Sequence, residues 1–540
     1  MSLSPESSSV KTSVWQEREW WFAIAGCAVI LVINLVRPLN WDNALYQSIA
    51  WQWLKFGRIP YVGTFDQNFP GIFYFHGISW LLFGNSEIGF GAFDATLHLF
   101  QGLGIYLLVR RSHKPFTALV AALLSCEIYL SNSDWSGGQR DAFAMITVVF
   151  ATILYFRIKD RPFPAGKQIF LAAAAGLLMG LVILLRPTFG LLSLWLGVVI
   201  LLTLNNGRWL VATVYAFGVV AAIVAAFSPY FAMPGRMASI YTALIKFNVE
   251  VYGTMKYRHS LLDPGIWKHW LVFLVALAFA LIVWLRNSAT GKRKVGRTWS
   301  PEALLIAGYL VGSIISIMWM GKYFRYHFEP LYQLSAILLA VTTERYFRGN
   351  EKSYKLACVV LLLVSLLLFY PWKYAKFYYQ AIAANAPDRL TFIQDKHSPD
   401  SVNGYRKQVE LASYIRSNSK PTDRVEFACL DPWLMYRTGL ESSSQFTSIV
   451  HIMISKPDGS FPPYEQKWRQ EFVDSIRVIR PKYFVTAFGP PAPSNELLRD
   501  LPYHALEGIP GYKEMLRDNY SLDTTIGWWM VYRAKPVEAH

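Results

Sequence analysis

The strongest constraint on this chain is a succession of apolar runs, about eleven in all. Each is about 20 residues long, enough to cross a bilayer as a helix. They fall near 20–37, 88–109, 115–132, 141–157, 168–185, 188–204, 209–231, 266–286, 302–320, 328–343 and 354–372. Hydrocarbon offers no partner to a backbone N–H or C=O, so continuous runs of this length predict a polytopic α-helical protein. A hydrophobic content of 53%, with 16% aromatics, excludes a disordered chain and an ordinary soluble enzyme. The net charge of +16 is spread between the apolar runs rather than over one soluble face. It therefore points to anionic headgroups and lipid phosphates and not to nucleic acid. Cys27, Cys126, Cys358 and Cys429 form no C-x-x-C or obvious pair and read as small apolar fillers.

The connections fix an expected orientation. With the N-terminus in the cytoplasm, the inner loops carry Arg110, Arg111 and Lys114, then Arg157 to Lys167, Arg208, Arg286 with Lys292 to Arg297, and Arg345 to Lys355. All are short and basic, as the positive-inside rule requires, and the opposite orientation would export every cluster. The stretch before Glu19 is polar and lacks a cleavable signal pattern, so the first run is expected to stay as an anchor. The division is then 1–19 cytoplasmic, 20–372 transmembrane with an outer loop at 37–87, and 373–540 extracytoplasmic. The tail predicts helices near 405–418 and 464–479, strands at Val425–Leu430 and Tyr483–Ala487, and a last strand at Trp528–Tyr532. This alternation predicts a small α/β domain with a partly parallel sheet.

Asp42 follows the first span, where desolvation makes an acid costly and so a functional candidate. Beyond it, Tyr46, Ile49, Ala50, Trp53 and Leu54 recur at helical spacing, with Gln47, Gln52 and Lys55 on other faces. The pattern predicts a helix lying along the membrane surface, ended by Gly57 and Pro60. Asp42 could serve only as its N-cap, a role compatible with chemistry. The other outer segments hold Asp66, Arg140 and Asp141, Arg186, and the group Lys322, Arg325 and His327. Acids and bases thus share one level, the outer membrane–water boundary. Lys322, Arg325 and His327 are spaced to converge on a phosphate, or to snorkel to headgroups. Asp66 reads more readily as a turn residue before Asn68 and Pro70. Asp141 beside Arg140 could be a buried ion pair alone. His76 and His98 read as interfacial or packed histidines, and Lys246, Lys256, Arg258 and His259 as a solvated charged face before a clamp on the lipid. Trp41, Tyr61 or Trp135 could stack on a sugar.

Taken together, Asp42, Gly57 to Tyr61, Phe65 to Gly71, Leu82 to Gly84, Gln139 to Asp141, Arg186 to Thr188 and Lys322 to Pro330 resemble the dolichyl-phosphate-mannose–protein mannosyltransferase-like group. That group belongs to the C-type membrane glycosyltransferases and is related to the lipid A aminoarabinose transferases. The resemblance implies the C-type glycosyltransferase fold, a bacterial inner membrane, and a tail like the α/β domain of many bacterial members. It implies transfer of a sugar from a polyprenyl phosphate to an extracytoplasmic acceptor, be it protein, lipid or glycan, with Asp42 as general base. Asp42 is followed by Asn43, where some members carry a second acid; the partner carboxylate is then sought at Asp141 before Asp66. Lys322 and Arg325, with Arg186 as a weaker candidate, are the expected holders of the leaving phosphate, and His327, Arg140 and Asp66 are counted with them as substrate-binding residues. The phosphate would be bound directly or through a divalent ion, which no ligand cluster in the sequence forces. The rival readings are a transporter or flippase of lipid-linked sugars, whose charges should lie near the midplane, and an inactive membrane scaffold.

Overall fold

The computed structural model describes residues 14–132, 136–161, 163–233, 235–254, 264–289, 300–369, 404–487 and 505–536, with isolated positions between 376 and 395. Each apolar run is a helix: α1 (Arg18–Leu31), α4 (Glu87–Arg110), α5 (Pro115–Ser131), α6 (Arg140–Asp160), α7 (Ala165–Leu185), α8 (Gly190–Thr203), α9 (Arg208–Phe231), α10 (Pro264–Ala289), α11 (Pro301–Met320), α12 (Glu329–Tyr346) and α13 (Glu351–Phe369). Two more, α2 (Trp41–Phe56) and α3 (Gly71–Phe83), occupy the loop between α1 and α4. Among the described residues, seven helices are by themselves long and apolar enough to cross a membrane, and α5 is a shorter apolar one. The chain is a multi-pass α-helical membrane protein. Large apolar side chains such as Phe22, Phe217, Trp319 and Leu368 project from the bundle, as a lipid-facing surface requires. Inside it, α7 and α9 approach through Gly176, Gly180 and Gly218, where a Cβ on Gly176 would lie 2.1 Å from the Tyr215 carbonyl oxygen.

The helix ends sort into two levels. At one, Arg110 pairs with Glu17 at 2.6 Å, Arg111 with Asp160 and Glu302, Lys114 with Glu351, and Thr117 donates to Glu344. These are the ends that the basic-loop pattern assigns to a single side. At the other level lie the starts of α2, α4 and α6 and the ends of α7 and α11, and on them rests the C-terminal α/β unit.

That unit has a five-stranded sheet in the order β2-β1-β3-β5-β4, with β1 (Arg424–Ala428), β2 (Glu441–Ser442), β3 (Tyr483–Ala487), β4 (Tyr520–Ile526) and β5 (Trp529–Ala534). β1 runs parallel to β2 and β3, while β5 is antiparallel to β3 and β4. The partly parallel sheet predicted from the tail is present, bounded by α14 (Gly404–Ser417), α15 (Pro432–Thr438), α16 (Pro463–Ile479) and α17 (Tyr512–Asn519). Val425, Phe427, Val485 and Val531 of the sheet pack with Leu411 and Ile415 of α14.

The unit clamps α2. Trp433 Nε1 donates to the Leu39 carbonyl at 2.7 Å and Trp41 Nε1 to the Leu430 carbonyl at 2.8 Å. Gln52 donates to the Leu440 carbonyl at 2.8 Å and accepts from the Ser442 N–H at 3.1 Å. Arg58 donates to the carbonyls of Ser442 and Ser444. Gln47 and Gln52 are buried, Gln52 beneath the C-terminal unit, while Lys55 stays exposed. The basic loop at 291–297, and the segment at 373–403 apart from its isolated described positions, lie outside the described residues.

Candidate active site

The end of the bundle beneath the C-terminal unit is built around α2. Its N-cap is Asn40, whose side chain accepts from the Asn43 N–H at 2.8 Å. Capping is thus done without Asp42, which stands half-buried in the first turn. Gln139 Nε2 donates to Asp42 Oδ2 at 2.7 Å. Crowding by protein pushes the Asp42 carboxyl above its ordinary value, while Arg140, the Gln139 hydrogen bond and Arg186 pull it back. The result is an acid that is more basic than a surface carboxylate, yet held near cations that favour its charged form.

Gln139 is placed by a buried polar knot. Asp94 of α4 accepts from the Gly138 N–H at 3.0 Å, from Asn34 at 2.5 Å and from Tyr129 at 2.5 Å. Arg37 lies 3.9 Å from Asp94, and His98 3.5 Å from it. Asn43 donates to the Gly137 carbonyl at 2.6 Å, tying the same turn to α2. Gly137 leaves room for the Arg37 guanidinium, since a Cβ there would fall 1.8 Å from Arg37 Nη1 and displace it. His76 and His98 are packed histidines, stacked on Phe90 and Tyr129 respectively.

The cations gather behind Asp42. Arg140 donates to Asn68, which in turn donates to the Tyr46 hydroxyl at 3.1 Å. Arg186 sits at the end of α7 with its Nε 3.4 Å from Asp141 Oδ1, both side chains buried. The ion pair at the start of α6 is therefore made across helices and not with the neighbouring Arg140. Lys322 follows α11, its Nζ donating to the Tyr252 carbonyl at 2.9 Å. Burial, then Arg186 and Arg140, push the Lys322 ammonium down to about 6. His327 is buried in the same positive field, and its pKa is lowered for the same reasons.

The remaining residues lie as follows. Asp66 is buried and accepts from the Asn68 N–H at 2.6 Å, closing the turn; burial raises its pKa to about 7. Arg325 is exposed. The indole of Trp41 is engaged with the C-terminal unit, and Tyr61 is buried with its hydroxyl donating to the Asn68 carbonyl at 2.5 Å. Lys246 is exposed, while Trp135, Lys256, Arg258 and His259 lie outside the described residues. Asp94 escaped the sequence reading, although an acid inside an apolar run is itself a signal.

The donor set suits an anion better than a divalent ion. No three His, Cys, Asp or Glu side chains gather to hold a metal among the described residues. The two acids nearest the cluster already face Gln139 and Arg186, beside the basic side chains of Arg140, Arg186 and Lys322.

Residues 67–233 match the family model described as dolichyl-phosphate-mannose-protein mannosyltransferase. The match covers Gln139, Arg140, Asp141 and Arg186 and leaves Asp42 and Lys322 outside it. It agrees with the resemblance read from the motifs. No curated protein matches the chain. Among solved structures, the chain is similar to the archaeal oligosaccharyltransferase AglB from Archaeoglobus fulgidus in complex with an inhibitory peptide and a dolichol-phosphate. The two share 13% identity over 88% of this chain and 70% of that one, with a TM-score of 0.47. The Archaeoglobus fulgidus oligosaccharyltransferase in complex with Zn and sulfate gives 13% identity over 86% of this chain and 68% of that one, with a TM-score of 0.46.

Proposed function

We propose that the chain is a membrane glycosyltransferase that moves a sugar from a polyprenyl phosphate to a hydroxyl acceptor on the extracytoplasmic side. The observation that carries this reading is the pairing of a half-buried, non-capping aspartate, Asp42, with the basic side chains of Arg140, Arg186 and Lys322 at the same end of the bundle. A passive bundle gains nothing from burying the basic side chains of Arg186 and Lys322 there, because burial opposes the charged form of each.

In the proposed step the acceptor oxygen attacks the anomeric carbon and its proton passes to Asp42. The bond from the anomeric carbon to the phosphate oxygen breaks, and the polyprenyl phosphate leaves with the electron pair. Lys322 and Arg186, with Arg140 beside them, hold the charge that develops on that oxygen. Asp141 keeps Arg186 in place, and Gln139 orients Asp42. Lys322 is poised to take a proton when the phosphate arrives, since an anion restores its ordinary basicity. No step runs through a metal ion. Arg325 is left to headgroup contact. The membrane part at 20–372 carries the chemistry, and the C-terminal unit braces α2 and faces the acceptor. The setting proposed is a bacterial inner membrane with an inner N-terminus.

The test is turnover by the purified full chain in detergent, with polyprenyl-phosphate sugars as donors and mass spectrometry of the released lipid phosphate. Donor-dependent release supports the transferase. Binding of the same donors, followed by their transport without cleavage in liposomes, would overturn it in favour of a flippase.

A further inference from the structure

The turn that carries Gln139 has little of its own to hold it. Ser136 to Gln139 contains two successive glycines, and Gly138 stands at φ +68°, in the left-handed region that glycine enters most freely. Its geometry is set from outside. The Gly137 carbonyl accepts from Asn43 and, at 3.3 Å, from Asn40. The Gly138 carbonyl lies 3.4 Å from His76 Nε2. The Gly138 N–H, one residue before Gln139, donates to Asp94 Oδ1 at 3.0 Å. Asp94 is the one carboxylate among these anchors, and it is fully buried. Its other oxygen, Oδ2, is committed to Asn34 and Tyr129, with Arg37 3.9 Å away. One oxygen is thus fixed to the bundle, and the other is given to the turn.

Gln139 depends on that anchoring. Among the described residues its side chain makes a single hydrogen bond, to Asp42, and its Oε1 has no partner. Its aim therefore comes from the backbone of the turn. A carboxylate that only stabilised the bundle would be a poor choice for this place, because apolar side chains of similar size pack without its desolvation cost. We infer that Asp94 is a positioning residue for the transfer reaction: through the Gly138 N–H it holds the turn that aims Gln139 at Asp42. It reaches the reacting atoms only through Gln139, and the inference rests on the transferase reading.

The experiment is a double-mutant cycle on sugar transfer by the full chain in detergent, with Asp94→Asn set against Gln139→Met. An amide has one acceptor oxygen where a carboxylate has two, so Asp94→Asn cannot serve the turn and the Asn34 and Tyr129 donors together. Its kcat should fall roughly tenfold or more, as small misplacements at a reacting centre do, with KM for the donor unchanged. The acid limb of kcat/KM should move up, as it does when the Gln139 bond is lost. That sign separates positioning from charge. Removing a negative charge would by itself favour ionised Asp42, which Arg140, Asp141, Arg186, Asp66, Tyr46 and Tyr326 also face, and would move the limb down. The double variant should be no slower than the slower single, because both act through one hydrogen bond. Exchanging the pair, Asn34→Asp with Asp94→Asn, gives the new amide a carboxylate to donate to and leaves its oxygen for the Gly138 N–H. Its kcat should return to within about threefold of the wild type. If Asp94→Asn alone does not fold, the exchanged pair, made with and without Gln139→Met, carries the test: it should transfer like the wild type and lose as much to Gln139→Met. Additive losses, a limb that stays or moves down, or an exchanged pair that folds yet remains slow would overturn the inference and leave Asp42 as the base. Absence of turnover by the wild type would instead sink the transferase reading, and this inference with it.

Discussion

Replacing Gln139 with Met tests how the proposed base is tuned. The substitution keeps the side-chain volume near constant and removes one contact, the 2.7 Å hydrogen bond to Asp42 Oδ2. A hydrogen bond to a charged group is worth about 1.5–3 kcal/mol. The bond favours the ionised carboxylate and so lowers the pKa of Asp42. At about 1.4 kcal/mol per pH unit, its loss should raise that pKa by roughly one to two units. A base acts only when deprotonated, so the acid limb of kcat/KM should move to higher pH by that amount. At pH values below the new limb, transfer should fall roughly ten- to hundredfold, and above it the loss should shrink to what misorientation alone costs. The assay is the pH dependence of kcat/KM for sugar transfer, with melting temperature as the folding control. An acid limb that stays in place, or moves down, would refute the claim that Gln139 tunes Asp42.

Three further outcomes follow from the same geometry. Lys322 is held at about 6, and an ordinary lysine titrates near 10.4; donor binding at pH 7.5 should therefore take up close to one proton. Calorimetry in buffers of different ionisation enthalpy reads this uptake, Lys322→Met should abolish it, and heats independent of buffer would contradict it. Arg58 donates to the carbonyls of Gly63 at 3.0 Å, Ser442 and Ser444, so Arg58→Ala should loosen the clamp on α2 by about 2–3 kcal/mol, with partly buried acceptors left unpaired. Limited proteolysis of the C-terminal unit should accelerate, and an unchanged digestion pattern would count against that role. Single-cysteine labelling with an impermeant maleimide should mark Ser460→Cys from outside and Ser112→Cys only after permeabilisation. Both are exposed, whereas the native cysteines are buried; labelling from the same side would sink the orientation.

The spans were legible because length and hydropathy are local properties that a bilayer reads directly. So were the sheet's central strands, whose apolar residues sit in short continuous runs. The strand β4 was not, because its burial is confined largely to its ends, at Tyr520 and Ile526, and the residues between them read as a polar turn. Asp141 and Arg140 are adjacent in sequence, but neighbours on a helix do not face each other. Asp141 therefore meets Arg186 from another helix, a partner that spacing could not name. Asn40 and Asp42 are equally good caps, and only the backbone decides that Asn40 has the role. The burial of Gln52 depends on a unit nearly four hundred positions along the chain, with Gln52 and Leu440 separated by 388 residues.

The central claim stands or falls on Asp42→Asn. Asn40 keeps the cap, so the variant should not lose the roughly 1 kcal/mol that a broken cap costs. It should insert, melt with the wild type and bind the polyprenyl-phosphate donor. General-base assistance is worth roughly 10²–10⁴ in rate, so steady-state transfer should drop at least about a hundredfold. Transfer close to the wild-type rate, by a folded variant that binds donor, would contradict the assignment of Asp42 as the base.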